Sequence, residues 1–391
     1  MPRFPHLSSR LERLTGSVFE KFLPKMRQKG GDLVRLHIGD SYLPPTYPLP
    51  LADEFMQKHP FFNRYGNTLG VEELRAALAE KVRRDNRLPV SPDHIMPTAG
   101  ACNALNISAA GLLDPGEEAL VLTPAWPFFF GMVKAADGLP VEVPFYTRLY
   151  ENPQLDIFSY LEQFISPRTA ALYLNTPNNP SGKVLNRAQL QQICDFAREH
   201  RLWLISDEAY DGMVFDGREH LSAAAFPEMF PQTLSVFTFS KVYMFAGLRL
   251  GYLVAEHPVL KNLNKLMVHQ LYSPSPLAQY LMVAPVKTRR EWSAAFVEHC
   301  RELRDLVTQN LRVPHHTPEG TYFTFFSIRG CLNGREYWEV IDQCLDAGVS
   351  VAPGNDFGKD YGDYIRICFA GESPGRLNIA LERLNRVLAG R

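Results

Sequence analysis

The stretch TLSVFTFSKVYMFAGLRLGYLVA, residues 233–255, holds two runs rich in branched and aromatic residues on either side of a loop. Runs of this kind, bounded by serine, glycine and charged residues, are typical of buried β-strands. Lys241 follows the first run, and Arg249 comes eight positions later. Such a lysine points to solvent, gains a structural partner, or stays partly desolvated so that its neutral amine can react. Residues elsewhere in the chain decide among these three settings.

Three similar strand-like runs precede this stretch: EALVLTP (118–124), TAALYLNTP (169–177) and LWLISDEAY (202–210). A segment with apolar residues at helical spacing, NRAQLQQICDFAREH (186–200), lies between the last two. Short apolar strands that alternate with helices predict an α/β fold, with a mainly parallel sheet covered by helices on both faces. Ligands of such sheets bind beyond the carboxyl ends of the strands.

The pattern changes after about Ser273. A long charged helical segment, residues 290–311, precedes the strand-like run TYFTFFSI (321–328) and a helix-like segment, REYWEVIDQCLDAG (335–348). We therefore predict a large domain over residues 44–273 and a smaller α/β domain over residues 274–391. The N-terminal arm, residues 1–43, is expected to join the smaller domain.

The composition favours small-molecule chemistry. The 391 residues are 46% hydrophobic and 21% charged, with a formal net charge of -1, so neither nucleic acid nor an anionic membrane is an expected partner. No apolar run reaches membrane-spanning length and the N-terminus lacks a continuous apolar stretch, which predicts a cytoplasmic protein. The six cysteines form no CxxC pair, and adjacent His315 and His316 point apart, so we expect free thiols and no metal site.

Polar residues follow three of the predicted strands. They are Asn179 after the 169–177 run, Asp207 and Tyr210 at the end of the next, and Lys241. Because the carboxyl ends of parallel strands meet at one edge of a sheet, we expect these side chains to converge. Taken singly, the asparagine is typical of a turn, the aspartate of a loop cap and the tyrosine of a core residue. The combination indicates a site.

Together with Arg249, these residues resemble in order and spacing the class I/II aminotransferase family, fold-type-I enzymes that use pyridoxal 5'-phosphate. The resemblance runs from about Gly39 to Arg366. It implies a transaminase that moves an amino group between an L-amino acid and a 2-oxo acid. By the same resemblance, Lys241 forms the Schiff base and later moves a proton, and Asp207 pairs with the ring nitrogen. Tyr210 and Asn179 donate to the phenolic oxygen.

The resemblance also implies the remaining contacts. The residues matching the phosphate-binding positions are Gly100, Ala101, Cys102, Thr238, Ser240 and Arg249, and Cys102 departs from the Ser or Thr that is usual in the family. Trp126 corresponds to the aromatic residue that stacks on the cofactor ring. Arg366 corresponds to the arginine that holds the substrate α-carboxylate, with Asn179 and Gly39 beside the substrate. Tyr65 matches a tyrosine that reaches the neighbouring subunit's phosphate, which implies a homodimer with shared active sites.

The reaction itself leaves alternatives open, because the scaffold and cofactor residues do not determine which bond at the substrate Cα breaks. A lyase, a decarboxylase or a cyclising synthase would use the same residues. A regulator that binds cofactor without turnover is a third class. The chain has no appended basic helix-turn-helix segment, which argues against a DNA-binding form of such a regulator.

Substrate choice is predicted from the segment MVHQLYSPSP, residues 267–276. His269 stands near the place where the aspartate-specific branch of the family has an arginine, and histidine holds a distal carboxylate less firmly. We therefore expect a neutral or aromatic L-amino acid, unless Arg64 enters the pocket. The expected pocket walls are aromatic: Trp126, Phe128, Phe129 and Tyr272. The alternative is that His269 is an ordinary helix residue with no role in selection.

Overall fold

The structure, a computed structural model, describes residues 11, 13–14, 22–47, 49, 53–60 and 62–390. Most of the predicted N-terminal arm before residue 22 therefore lies outside the described residues. None of the helices in these ranges is long and apolar enough to cross a membrane.

The described elements alternate between strands and helices along most of the chain. The strands are β1 (Val34–Arg35), β2 (Ile95–Thr98), β3 (Glu118–Thr123), β4 (Leu139–Pro144), β5 (Thr169–Asn175), β6 (Trp203–Asp207), β7 (Thr233–Thr238), β8 (Gly251–Val254), β9 (Phe323–Ser327), β10 (Val349–Ser350), β11 (Ala352–Pro353) and β12 (Tyr364–Cys368). The α-helices are α1 (Leu23–Lys29), α2 (Asp53–Lys58), α3 (Glu72–Asn86), α4 (Gly100–Leu112), α5 (Pro127–Ala135), α6 (Tyr146–Glu151), α7 (Ile157–Leu161), α8 (Arg187–Glu199), α9 (His257–Gln270), α10 (Pro276–Lys287), α11 (Arg289–Asn310), α12 (Tyr337–Asp346) and α13 (Pro374–Leu388).

The central sheet has seven strands in the order β2-β8-β7-β6-β5-β3-β4. Strands β3 to β7 pair in parallel, which confirms the predicted mainly parallel sheet. Strand β8 alone runs antiparallel to both of its neighbours. The connection from β7 to β8, residues 239–250, contains no crossover α-helix. Without such a crossover, the chain returns beside β7 in the opposite direction.

Alternating side chains of β3 show how the sheet is buried on both faces. Leu120 and Leu122 belong to one buried cluster with residues of α8. Ala119 and Val121 belong to another, with residues of α4. Successive side chains of a strand point to opposite faces, so a strand covered on both sides is apolar at nearly every position. This explains the continuous apolar runs in the sequence.

The C-terminal part contains a three-stranded antiparallel sheet in the order β11-β12-β9. Strand β1 pairs in parallel with β10, which attaches a segment from the beginning of the chain to this part. The attachment continues beyond β1, where the Cys368 N–H donates to the Leu36 carbonyl and the Tyr42 N–H to the Ala370 carbonyl. The segment between these two bonds contains Gly39.

A buried group of charged side chains, Lys81, Asp211 and Arg289, connects α3, the turn after β6 and the start of α11. Each of the three is nearly inaccessible to solvent. The Asp211 carboxylate is paired with the Lys81 ammonium and accepts two bonds, of 2.9 and 3.1 Å, from the Arg289 guanidinium. Gly212 has φ +102°, and a Cβ there would overlap the guanidinium. We call this group the buried charge cluster.

Candidate active site

The carboxyl ends of β5 and β6 bring the predicted polar residues together. Asn175 and Asp207 are directly opposite in the parallel register. The Asn175 side-chain amide donates to the Asp207 carbonyl at 2.8 Å, and its oxygen accepts from the Asn179 N–H at 2.7 Å. Asn175 therefore fixes the loop that carries Asn179 to the end of the next strand. Asn175 lies in the strand-like run 169–177, but no local sequence pattern predicts that its side chain links Asp207 to Asn179.

Lys241 lies at the same edge, in the loop after β7. Its Nζ donates to the Gly39 carbonyl at 2.8 Å and lies 5.7 Å from the ring centroids of both Tyr210 and Tyr322. Desolvation by these surroundings lowers the pKa of the amine, although the Asp40 carboxylate opposes the change. Of the three settings that the sequence allows for this lysine, the structure combines two: a structural partner, the Gly39 carbonyl, and partial desolvation.

Asp207 is buried beneath the site. One carboxylate oxygen accepts from the Tyr173 hydroxyl at 2.8 Å and the other from the Ala209 N–H at 3.1 Å. Burial raises the pKa of Asp207 to about 6, although these two bonds oppose the rise. Tyr173 stacks on Phe129 at 3.8 Å between centroids. Phe129 is fully buried, so the expectation that it lines the substrate pocket is wrong: this face of α5 packs against the sheet.

Tyr210 is buried at the wall of the site. Its ring contacts Tyr322 and Phe323 edge-on, at 5.6 and 5.9 Å between centroids. Burial raises the pKa of the Tyr210 phenol above its ordinary value, so the hydroxyl keeps its proton and acts as a donor. The contacts with Tyr322 and Phe323 cross more than 110 residues of chain, and the sequence gives no indication of them.

Arg366, on β12, faces the same space from the C-terminal part. Its guanidinium donates to the Asn179 side-chain oxygen at 2.9 Å and to the His37 carbonyl at 2.7 Å. The rings of Phe323 and Phe357 lie 4.2 and 5.0 Å from its central carbon. The Nε atom is buried and has no partner among the described residues. The structure therefore fixes a planar cation that uses two of its five N–H groups in these bonds.

Two glycines bring Arg249 against the first turn of α4. Gly100 has φ +78°, and a Cβ there would lie 2.9 Å from an Arg249 terminal nitrogen. At Gly251, the first residue of β8, a Cβ would lie 2.8 Å from the Ala101 nitrogen. Only glycine allows these close approaches. The guanidinium thus lies beside backbone N–H groups at a helix N-terminus, an arrangement suited to a phosphate.

We call the Arg249 guanidinium and the backbone N–H groups of Gly100, Ala101 and Cys102 the phosphate cradle. Thr238 and Ser240 form the wall next to it. The Thr238 hydroxyl donates to the Ser240 hydroxyl at 3.0 Å and accepts from the Ser240 N–H at 3.1 Å. The Arg249 guanidinium also donates to the Ala246 carbonyl at 2.9 Å, which fixes its orientation. The cradle therefore combines one oriented cation with one neutral donor, the Ser240 hydroxyl, whose position Thr238 fixes.

Cys102 is exposed in the first turn of α4, next to this cradle. Desolvation raises the pKa of its thiol, although Arg249 opposes the rise, so the thiol stays protonated at neutral pH. A thiol is only a weak donor. In the described ranges, His, Cys, Asp and Glu side chains form no group of three arranged to hold a metal ion. Trp126 lies at the start of α5, partly exposed, with its ring 5.2 Å from that of Phe128.

Three further predicted residues lie at the surface. The Tyr65 side chain is 88% exposed, and its ring contacts that of Tyr272 at 5.1 Å. His269 is exposed in the last turn of α9, where its Nδ1 lies 2.7 Å from the Lys265 carbonyl of the preceding turn. Arg64 is exposed beside Tyr65. Within this single chain, none of these residues is described in contact with Lys241.

Comparison with known proteins gives one family. The family model for class I and II aminotransferases matches residues 33–384. An aspartate aminotransferase of Pyrococcus abyssi is 33% identical over 91% of this chain and 92% of its own length. An aromatic-amino-acid aminotransferase of Thermococcus litoralis is 33% identical over 98% of both chains. An aspartate/prephenate aminotransferase of Thermus thermophilus is 33% identical over 93% of both.

Solved structures agree with these relatives. The aspartate aminotransferase of Thermus thermophilus with maleate has a TM-score of 0.86 and 31% identity, over 98% of this chain and all of the other. An aromatic aminotransferase of Pyrococcus horikoshii has a TM-score of 0.84 and 32% identity, over 94% and 99% of the two chains. The fold is therefore that of fold-type-I transferases. This chain belongs to the class I and II aminotransferase family and is a transaminase that acts on amino acids and 2-oxo acids.

Proposed function

We propose that this transaminase holds pyridoxal 5'-phosphate at the carboxyl edge of its sheet, with Lys241 as the residue that attaches it. The observation that carries the proposal is the desolvated Lys241 amine, which interacts electrostatically with a buried carboxylate, Asp207, and with a fixed guanidinium, Arg366. When bound, the cofactor supplies an electron sink for the charge left at the substrate Cα after proton removal. The remaining chemistry belongs to the side chains described above.

The cradle beside α4 fits a phosphate group. Its backbone N–H groups, from Gly100, Ala101 and Cys102, and the Arg249 guanidinium converge where a side chain at Gly100 would block access. The Ser240 hydroxyl would add a neutral donor at the adjoining wall, and Thr238 would hold Ser240 in place unless its own hydroxyl turns to the phosphate. A planar guanidinium grips two phosphate oxygens, and a helix N-terminus favours the dianion.

The aromatic ring of the cofactor would lie between the cradle and Arg366. The buried Asp207 carboxylate would pair with a protonated ring nitrogen, which is the partner that a desolvated anion requires. Tyr210 would donate its phenolic proton to the ring oxygen. The Asn179 side-chain oxygen already accepts from Arg366, so its amide N–H group remains as the second donor. Trp126 would cover one face of the ring.

The substrate side is built around Arg366 and Lys241. The Arg366 guanidinium would bind the α-carboxylate of the amino acid, since two hydrogen bonds orient it and use only two of its five N–H groups. Gly39 lets the backbone approach the substrate at this point. The Lys241 amine, once free, would move the proton between the substrate Cα and the cofactor. A neutral amine performs this step because its lone pair accepts the proton.

The central claim is tested by reducing the purified protein with borohydride after addition of pyridoxal 5'-phosphate. We expect one pyridoxyl group, on the peptide that contains Lys241. Label on another lysine, or no label, refutes the proposed site. A second measurement separates transamination from lyase or decarboxylase chemistry. The loaded protein, given an amino acid without an acceptor, should release one equivalent of the corresponding 2-oxo acid per cofactor and then stop.

Asp207→Asn should lower turnover by about 10²-fold while changing cofactor affinity much less. The amide keeps the shape and accepts the Tyr173 bond, but it lacks the charge that holds the ring nitrogen protonated. Steady-state kinetics and equilibrium cofactor titration measure the two effects. Asp156→Asn, which conserves an exposed helix cap, is the matched control and should behave like the wild type. Turnover near that of the wild type in Asp207→Asn would contradict the role of the carboxylate.

We further propose a homodimer with shared active sites. Its support is the strong exposure of Tyr65 and Tyr272, two aromatic side chains in contact at the surface. Large aromatic residues of this kind are enriched in interfaces. In the proposed dimer, Tyr65 would reach the phosphate cradle of the partner subunit.

Mixing Tyr65→Ala with Lys241→Ala tests this sharing. Each variant alone should have little activity, whereas a hybrid dimer contains one site with both residues intact. We expect activity to return after subunit exchange, to at most about a quarter of the wild-type value when the dimers mix statistically. Exchange is followed independently with two differently tagged chains. Complete exchange without recovery would refute the shared site.

For the amino donor, we propose a neutral or aromatic L-amino acid. In the segment 267–276, His269 stands near the place where the aspartate-specific branch of the family has an arginine. Its imidazole is hydrogen-bonded to the Lys265 carbonyl of the same helix. Phe128, at 58% exposure, and Trp126 present aromatic surface beside the site. The relatives include both aspartate and aromatic transaminases, so the comparison of donors is decisive.

We expect kcat/KM for phenylalanine or methionine to exceed that for aspartate. An apolar wall gains free energy from an apolar side chain, whereas a distal carboxylate requires a cation in place of its water shell. Measurements with aspartate, phenylalanine, methionine and alanine at one 2-oxo acid concentration give the ranking. A tenfold preference for aspartate, about 1.4 kcal/mol, would overturn the proposal. If aspartate is preferred, His269→Ala is the first variant in which to measure kcat/KM for aspartate and phenylalanine.

We also propose the domain boundaries and location stated from the sequence. The β1 and β10 pairing supports grouping an arm up to residue 43 with a small domain over residues 274–391, beside a large domain over residues 44–273. The six cysteines are all free thiols, which suits the reducing cytoplasm. Limited proteolysis and cell fractionation test these two proposals.

A further inference from the structure

The Gly39 carbonyl oxygen accepts two hydrogen bonds inside the site. One comes from the Lys241 amine at 2.8 Å and the other from the Tyr322 hydroxyl at 3.1 Å. A carbonyl oxygen has two lone pairs, so both acceptor positions are in use. The Tyr322 hydroxyl and the Lys241 amine thus share one acceptor, the Gly39 oxygen. No motif or spacing in the sequence predicts this contact.

The Tyr322 hydroxyl is held in place by rigid surroundings. Its side chain is 1% exposed and packs edge-on against Tyr210 and Phe323, at 5.6 and 4.8 Å between centroids. On the other side, a Cβ at Gly39 would come within 2.8 Å of the Phe323 ring, so the carbonyl lies close to this aromatic wall. The donor and the acceptor therefore have little freedom to separate.

We propose that Tyr322 is a positioning residue for the catalytic amine: its hydroxyl occupies one lone pair of the Gly39 carbonyl and directs the Lys241 amine to the other. The inference rests on the proposed function, in which Lys241 attaches the cofactor and then moves the substrate proton. When one N–H group of an amine is held in a fixed direction, its lone pair is restricted to two of the tetrahedral directions. Such restriction is what proton transfer requires.

The second donor also changes the strength of the carbonyl as an acceptor. Two donors share the electron density of one oxygen, so each bond is weaker than it would be alone. An ammonium gains more from a strong acceptor than a neutral amine does, because its bonds are charge-assisted. The Tyr322 hydroxyl therefore disfavours the ammonium form of Lys241.

The titratable groups that act on the amine are Asp40, Asp207, Cys102, Cys368, Arg366 and Tyr210. Tyr322→Phe keeps the packed ring and removes one hydroxyl, which also interacts with the Tyr210 side chain. The pH midpoint of the Lys241 amine is therefore the quantity that reports the loss of the Gly39 bond. Tyr243→Phe is the matched control, because the Tyr243 hydroxyl is equally buried and has no partner among the described residues.

The first measurement uses the full chain freed of cofactor. Acetic anhydride at low concentration, followed by mass spectrometry of the Lys241 peptide, gives the reactivity of the amine against pH. We expect the midpoint to rise by about half a pH unit in Tyr322→Phe, which lowers the neutral fraction about threefold near neutrality. The control should match the wild type. An unchanged midpoint in Tyr322→Phe overturns the proposal.

The second measurement uses the loaded enzyme. Tyr322→Phe should have kcat about threefold lower near pH 7 and an unchanged KM for the amino acid, and the deficit should disappear at alkaline pH, where the amine is neutral in both proteins. A deficit that is equal at every pH indicates a merely structural role and overturns the proposal. Failure of the proposed function is distinguishable, because the wild type would then carry no borohydride-fixed pyridoxyl group on Lys241.

Discussion

Lys241→Ala is expected to lower turnover on the order of 10⁴-fold or more, while the protein still binds pyridoxal 5'-phosphate without a covalent bond. The amine has two tasks in the proposed mechanism, attachment of the cofactor and movement of the substrate proton. General bases alone contribute about 10²–10⁴-fold, and loss of the attachment adds to this. The phosphate cradle and Asp207 do not involve the lysine side chain, so noncovalent binding should persist.

Single-turnover kinetics and equilibrium dialysis of the cofactor measure the two quantities separately. Lys265→Ala is the matched control, since Lys265 is exposed on α9 and its ammonium donates to Asn262 at 2.8 Å. It should retain wild-type turnover. If Lys241→Ala kept a tenth of the wild-type rate, the lysine would not be the proton carrier. If it lost the cofactor entirely, the cradle would not be the main binding site.

Asp211→Asn is expected to destabilise the fold by about 3–5 kcal/mol, the cost of leaving buried charges without their partner. The buried charge cluster contains two cations, Lys81 and Arg289, and Asp211 is paired with both. Replacing its carboxylate by an amide leaves these cations in a desolvated place. Glu219→Gln is the control, because Glu219 pairs with Arg87, both side chains are exposed, and loss of this pair should change stability by less than about 1 kcal/mol.

The same carboxylate predicts a dependence of stability on pH. Burial raises the pKa of Asp211, but Arg289 and Lys81 outweigh this effect and hold it at about 2, below the ordinary value of 3.8. A lowered folded-state pKa contributes stability above the unfolded value, and that contribution is lost as the pH falls from about 4 to about 2. Denaturant titrations across this interval should show a steeper loss for the wild type than for Asp211→Asn. Parallel curves would assign the acid sensitivity to other groups.

The sequence is sufficient to predict that polar side chains gather at one edge of the sheet, because the parallel strands end in polar residues there. The structure does bring Asp207, Tyr210, Asn179 and Lys241 to that edge, whereas their proposed roles come from the family resemblance. The antiparallel direction of β8 is not predicted, because its composition is like that of its parallel neighbours. Its direction depends on the connection from β7, which contains no crossover α-helix. The sequence also does not predict the burial of Phe129. An aromatic residue that lines a pocket and one that packs in the core have the same local sequence pattern.

Contacts between distant polar groups have no such signal. Tyr322 and Gly39 are 283 residues apart, and the buried charge cluster joins positions 81, 211 and 289. Hydrophobic periodicity reports which face of an element is buried, but it does not report which polar atom meets which. These pairings depend on how the C-terminal part lies against the large sheet. They become visible only in three dimensions.

The attachment of the segment around Gly39 to β12 has a consequence for the order in which the site is assembled during synthesis. The ribosome makes the seven strands of the central sheet well before β12, and domains generally fold as they emerge. A nascent chain that ends before β12 has Lys241 and Asp207, but it lacks Arg366 and the hydrogen bonds that hold residues 36–42. Under the proposed function, such a chain has the amine that attaches the cofactor but lacks the guanidinium that binds the amino acid. The proposed site is therefore completed only after β12 is made, when this strand binds a segment that was made before the central sheet.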